Sequence, residues 1–289
     1  MLSWKIGDVT VTRILEIEMP VAYHEKHPFL PDARPEALAQ IPWLYPNYVT
    51  PEGALRLSIH ALLVEAPGLR LVVDTCIGND RPRRFIGRKP LATGFLAEME
   101  AAGWPRDSVD AVVCTHLHVD HVGWNTMLES GPDGERWVPT FPNARYLIGR
   151  REYEHWMAEG DEEQHVILGD SIAPIFEAGL AELVEMDHRL SPEVALVPTP
   201  GHTPGHVSVA ITSKGERALI TGDAMHHPSQ IAHPHWCPPF DSDPAASTAT
   251  RKAMVEDLAD APVLVIGTHF AAPTAGHIVR DGAGYRFDA

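Results

Sequence analysis

Apolar positions in this chain fall into short blocks. Residues 69–75, 109–115, 194–198, 207–212, 218–221 and 263–267 are mostly aliphatic runs closed by turn residues or polar loops, and they read as buried strands. Over 93–102, 150–159, 170–178 and 245–260 the apolar residues return every three or four positions instead, which predicts helices. Strands and helices thus alternate only in part, as in an α/β or α+β chain. Two stretches break the pattern: 20–52 holds seven prolines and 228–244 holds five. Both predict irregular loops with restricted backbone, read here as excursions around a site. Trp43, Tyr45, Tyr48, Trp236 and Phe240 give these loops apolar material that either packs or lines a pocket, packing being the expectation for each ring taken singly.

The 289 residues suit one domain, 1–289, built on an extended core with these insertions, and no internal repeat is visible. Apolar residues at 44% and charged residues at 21% are ordinary for a folded soluble chain. A formal charge of -16 repels phosphate backbones and anionic lipid, so neither nucleic acid nor a membrane is an expected partner. Cys76, Cys114 and Cys237 are isolated and form neither a disulfide framework nor a zinc knuckle. The opening MLSWKIGDVTVTRILEIEMP alternates apolar with polar residues and lacks the pattern of a secretion signal, so the expected location is cytoplasmic. The Pro-rich segment 20–52 is a candidate dimer arm, because an arm with little regular structure must pack against something.

Chemistry enters at residues 114–121, Cys-Thr-His-Leu-His-Val-Asp-His, where His116, His118, Asp120 and His121 follow an apolar strand directly. Continued as a strand, these residues would point to alternating faces. A loop that curls at the strand end instead lets His116 and His118 grip one cation and Asp120 and His121 another. Three more ligand-type residues each follow a strand: His202 in PGHTPGH, Asp223 in TGDA and His269 in GTHF. Spacing alone leaves His202 and His206 as alternatives.

In this order, HLHVDH, PGHTPGH, TGDA and GTHF resemble the successive signatures of the metallo-β-lactamase superfamily, over about residues 55–280. The resemblance implies a four-layer αββα sandwich with a dinuclear metal site along one sheet edge. It implies that His116, His118 and His202 bind one metal, that Asp120, His121 and His269 bind the other, and that Asp223 bridges them. It favours His202 over His206, and casts Asp74 as a carboxylate that orients the metal-binding loop. Two divalent ions are expected, zinc first, with iron, manganese or cobalt also suited to such a donor set.

Metals in such a site activate water near neutral pH, so hydrolysis of a carbonyl or phosphoryl centre is expected without a serine or cysteine nucleophile. Asp120 is a candidate proton acceptor as well as a ligand. Some lactonases of the superfamily carry a tyrosine three residues after the bridging aspartate. Here that position is His226, a candidate catalytic group which, like His227, faces either substrate or solvent. Aspartate rather than cysteine at 223 argues against antibiotic cleavage, and histidine rather than glutamate at 118 argues against oxygen reduction. The layout resembles the lactonase and methyl-parathion-hydrolase-like branch, which implies a small uncharged lactone or ester as substrate. Aryl-ester, organophosphate or glyoxalase-II-like thioester hydrolysis is the alternative, and a metal-dependent binding module is the non-enzymatic one. His277 is read as structural.

Overall fold

Strand Ala111–Cys114 consists of four buried residues, AVVC, and pairs in parallel with Leu69–Val73 on one side and Arg145–Gly149 on the other. An interior parallel strand is covered on both faces, so a continuous aliphatic run replaces alternation. The computed structural model describes residues 1–132 and 134–289. It divides into two compact units, one of Met1–Glu16 with Ile59–Glu185 and one of Ile17–Ser58 with Met186–Ala289.

The sheet of the first unit runs in the order Ser3–Ile6, Val9–Val21, Leu55–Ala66, Leu69–Val73, Ala111–Cys114, Arg145–Gly149, Ala181–Val184. The unit boundaries fall inside Val9–Val21 and Leu55–Ala66. Helix Arg150–Glu159 follows its strand immediately and packs on it, with the bounds the periodicity predicts. The helix expected over 170–178 is the shorter Ala173–Glu177, and an unexpected helix, Glu162–Ser171, runs up to it with a break at Ile172, φ −121° and ψ −48°. The break has a cause: Pro174 stands in the first turn of Ala173–Glu177, where its missing N–H and fixed φ are tolerated. Helix Glu162–Ser171 begins at Asp161, whose carboxylate accepts the Gln164 N–H at 2.8 Å.

The second unit is built on six strands in sequence order, Val194–Pro198, Val207–Ser213, Glu216–Ile220, Val263–Ile266, Ala275–Asp281 and Gly284–Asp288. Only Glu216–Ile220 and Val263–Ile266 pair in parallel. Helix Pro244–Leu258, capped by the Asp243 carboxylate on the Ala245 and Ala246 N–H groups, buries Ser247, Arg251, Met254 and Val255, which share one helical face. The Pro-rich segment belongs to this unit's core. Leu30, Leu38, Leu44, Tyr48 and Val49 are buried with Met225, Ile231, Val255 and Phe270, so its apolar side chains are covered within the chain itself. The fold is mixed α/β, as expected from the sequence. Among the described residues no helix is long and apolar enough to cross a membrane.

Candidate metal centre

In the first unit, Val73 and Val113 are register partners in parallel strands, so Asp74 leaves the sheet opposite Cys114 and within side-chain reach of Thr115. Asp74 accepts the Thr115 N–H at 2.7 Å and its hydroxyl at 2.9 Å, and Asp74 Oδ2 lies 3.0 Å from His121 Nδ1. After Cys114 the chain leaves the strand and curls, the His121 N–H closing on the His118 carbonyl at 3.1 Å. His116 Nε2 comes within 2.9 Å of His118 Nδ1, the His116 and His121 ring centroids are 4.0 Å apart, and Asp120 Oδ1 is 3.7 Å from His121 Nε2. The curl therefore gathers all four ligand-type side chains of this loop, with His116 and His121 buried and His118 and Asp120 half-buried.

One carboxylate braces that loop, and another ties together the segments at Ile77 and Trp124. Glu152 accepts the Leu117 N–H at 3.1 Å and the Trp156 indole N–H at 2.6 Å. Glu16, which carried no sequence signal, accepts N–H groups from Ile77, Gly78 and the Trp124 indole at 2.8, 3.1 and 2.7 Å. Burial raises the Glu16 carboxyl above its ordinary range, against the lowering effect of these hydrogen bonds. Gly123 is compulsory here, since a Cβ would stand 1.8 Å from the Ile77 carbonyl oxygen.

In the second unit, Ile220 and Ile266 are register partners in parallel strands, and the loops that follow them present Asp223 and His269. Asp223 Oδ1 lies 3.1 Å from His269 Nε2, while Oδ2 lies 3.4 Å from His202 Nε2 and 3.2 Å from His226 Nε2. All four side chains are buried. His202 Nδ1 is 2.9 Å from Asp241 Oδ1, and His269 Nδ1 is 2.9 Å from the Ser58 carbonyl. Each of these partners only accepts, so each Nδ1 is the protonated nitrogen, and in the neutral rings both Nε2 lone pairs face carboxylate oxygens. Buried acceptors facing acceptors are satisfied by a positive charge between them, a proton or a metal ion. The donor chemistry of His202, Asp223 and His269 thus fits a divalent metal.

His206 has a different task. Its Nε2 accepts the Asp223 N–H at 2.8 Å, and its Nδ1 faces the Thr199 hydroxyl and carbonyl oxygens at 2.9 and 3.0 Å. Neither His226 nor His227 faces solvent, being 1% and 0% exposed. His227 donates from Nε2 to the Tyr48 carbonyl at 2.8 Å and accepts the Ser229 N–H at Nδ1. Burial lowers its pKa to about 4, partly opposed by the Tyr48 bond. Neither ring nitrogen of His226 makes a hydrogen bond among the described residues, although Nε2 is close to Asp223. His277 is exposed on strand Ala275–Asp281.

Of the loop aromatics, Tyr48 and Trp236 are core residues, and Trp43 and Tyr45 pack against that core. Phe240, 42% exposed, sets its ring 5.3 Å from His226 and 5.9 Å from His202. Phe29 joins it, 5.3 Å from Phe240 and 5.7 Å from His226. Sequence reasoning missed Phe29 and Asp241. Phe29 is one apolar residue in a Pro-rich loop, and Asp241 reads as loop polarity beside the Asp243 helix cap. Burial raises the Asp241 carboxyl, but the hydrogen bonds from His202 and the Ser247 hydroxyl help to hold it down at about 2.

Residues 55–269 match the metallo-beta-lactamase superfamily. An N-acyl homoserine lactonase of Bacillus sp is 27% identical over 236 residues, which cover 76% of this chain and 84% of the relative. Among solved structures, the hydrolase AbOPH of the beta-lactamase superfamily superposes with TM-score 0.79 at 25% identity, covering 99% of this chain and 96% of that one. AidC, a dizinc quorum-quenching lactonase, superposes with TM-score 0.79 at 21% identity over 99% and 95% of the two chains, a likeness of fold.

Proposed function

The chain belongs to the metallo-β-lactamase superfamily, and on that premise we propose that it is a dinuclear metal-dependent hydrolase acting on a lactone or ester of a small uncharged molecule. One observation carries the reading: the two oxygens of buried Asp223 face different imidazoles, His202 on one side and His269 on the other, as a carboxylate shared by two cations requires. Following the order of the sequence signatures, His116, His118 and His202 hold one metal, Asp120, His121 and His269 hold the other, and Asp223 serves both. Zinc suits this imidazole and carboxylate set, as would iron, manganese or cobalt. When bound, such ions supply Lewis acidity and a water acidic enough to ionise near neutral pH.

The remaining work falls to the chain's own residues. Asp120 is a ligand first and serves second as proton acceptor, a reading supported by its 21% side-chain exposure. Neither ring nitrogen of His226 makes a hydrogen bond among the described residues, although Nε2 lies 3.2 Å from Asp223 Oδ2, so its N–H serves a substrate oxygen on which charge develops. Phe29 and Phe240 supply an apolar surface beside it, suited to an acyl or alkyl group. The N-acyl homoserine lactonase relatives favour a lactone among ester-like substrates.

Metal analysis of the purified protein, followed by pH-stat assays of metal-loaded and chelated enzyme on lactones, aryl esters, organophosphates and thioesters, tests this reading. Two metals per chain and metal-dependent acid release from lactones or esters are expected. Tight ligand retention without turnover after reconstitution would overturn it in favour of a binding module.

A further inference from the structure

Behind His202 stands an ion pair with no exposed side-chain surface: Asp241 Oδ2 lies 3.4 Å from Arg251 Nη1 and Nη2. Such a pair is costly to bury and needs its remaining hydrogen-bonding capacity filled. Arg251 meets that need, donating to the Pro234 carbonyl at 2.9 Å, the Ser247 hydroxyl at 2.6 Å and the Cys237 sulfur at 2.7 Å. The guanidinium is therefore fixed from several directions, and it fixes Asp241 Oδ2. The other oxygen, Oδ1, faces His202 Nδ1 at 2.9 Å. Two backbone bonds lace the same segments together, Ser242 N–H to the His202 carbonyl and Asp243 N–H to the Gly201 carbonyl, both at 2.9 Å.

We propose that Asp241, held by Arg251, is a positioning residue for His202 that sets the affinity of one metal position and leaves the other untouched. The inference rests on the dinuclear reading. A carboxylate accepting Nδ1–H fixes the tautomer and ring direction of a ligating histidine and raises the basicity of its Nε2. His269, assigned to the other metal, has the same tautomer imposed by a neutral partner, the Ser58 carbonyl at 2.9 Å. Removing the Asp241 charge therefore weakens only the ion that His202 holds.

The experiment is a zinc titration of the metal-free full-length protein in competition with a chromophoric chelator, for wild type, Asp241→Asn and Arg251→Lys. Wild type binds two zinc ions. In Asp241→Asn one step weakens by about 10- to 100-fold while the other stays within about twofold. Activity of this variant recovers at saturating zinc, which a distorted site would not permit. Arg251→Lys loses the rigid fork but keeps the charge, so the same step weakens by a smaller factor. If Asp241→Asn does not fold, Arg251→Lys decides alone. Both steps weakened alike, or neither, in the variant that folds would overturn the inference. One zinc or none in wild type would remove the dinuclear reading itself.

Discussion

His206 Nε2 accepts the backbone N–H of Asp223 at 2.8 Å, although the two residues lie in loops that leave different strands. PGHTPGH thus contains two histidines with separate tasks. His202 approaches the Asp223 carboxylate at 3.4 Å, and His206 anchors the Asp223 main chain. In His206→Ala that N–H loses its acceptor in a buried place, at a cost of about 1–3 kcal/mol. Urea unfolding should give a lower midpoint with an unchanged slope. A midpoint equal to that of wild type would mean that water or another group takes over the N–H.

His226→Phe separates catalysis from packing. Phenylalanine keeps the ring between Phe29, Phe240 and His269 while removing both nitrogens. The variant is expected to bind two metals and to unfold at or above the wild-type temperature, because it removes polar atoms that make no hydrogen bond among the described residues. With kcat lowered by about 100-fold at similar KM, His226 acts on the developing charge. Unchanged kcat would reduce His226 to a spacer.

The ligand-bearing loops were legible because each follows an aliphatic run that forms a strand; Val194–Pro198 has the bounds read from sequence, although Val197 and Pro198 are exposed rather than buried as expected. Register supplied what the sequence lacks. The pairings of Val73 with Val113 and Ile220 with Ile266 bring Asp74 within side-chain reach of Thr115 and place the Asp223 and His269 loops at neighbouring strand ends. Exposed strands escaped notice: Thr126–Gly131 and Gly134–Pro139 are largely uncovered, so no core face imposes alternation on them. Helix Glu162–Ser171 was missed despite its Asp161 cap, because its apolar residues, Val166 to Leu168, are contiguous rather than periodic. Asp241 bonds His202 and Glu16 bonds Ile77 from 39 and 61 residues away in sequence, and local pattern carries no trace of such pairings.

Tyr48 packs in the core, as expected for each loop aromatic taken singly. Its ring packs with Phe270 and Phe287 in the core, and burial pushes its hydroxyl pKa up, while the oxygen has no hydrogen-bond partner among the described residues. Tyr48→Phe removes one unsatisfied polar atom and little apolar contact. It should raise stability by about 1 kcal/mol and leave kcat/KM unchanged. A loss of stability would reveal a partner for the hydroxyl.

His227 gives the protein a specific weakness toward acid. In the unfolded chain its imidazole takes up a proton near pH 6.5, whereas in the fold burial lowers the pKa to about 4. Between these values the unfolded state binds more protons, so stability falls as pH falls through that window. The contribution is complete above pH 6.5, declines by somewhat more than 1 kcal/mol per pH unit below it, and levels off near pH 4. His227→Gln retains a donor and an acceptor but does not titrate. Subtracting its urea stability from that of wild type at each pH between 4 and 7.5 cancels the titration of the other histidines. The difference should slope across the window in favour of wild type at high pH. A flat difference would place a proton on His227 in the fold, and with it a second proton acceptor where the Ser229 N–H now donates.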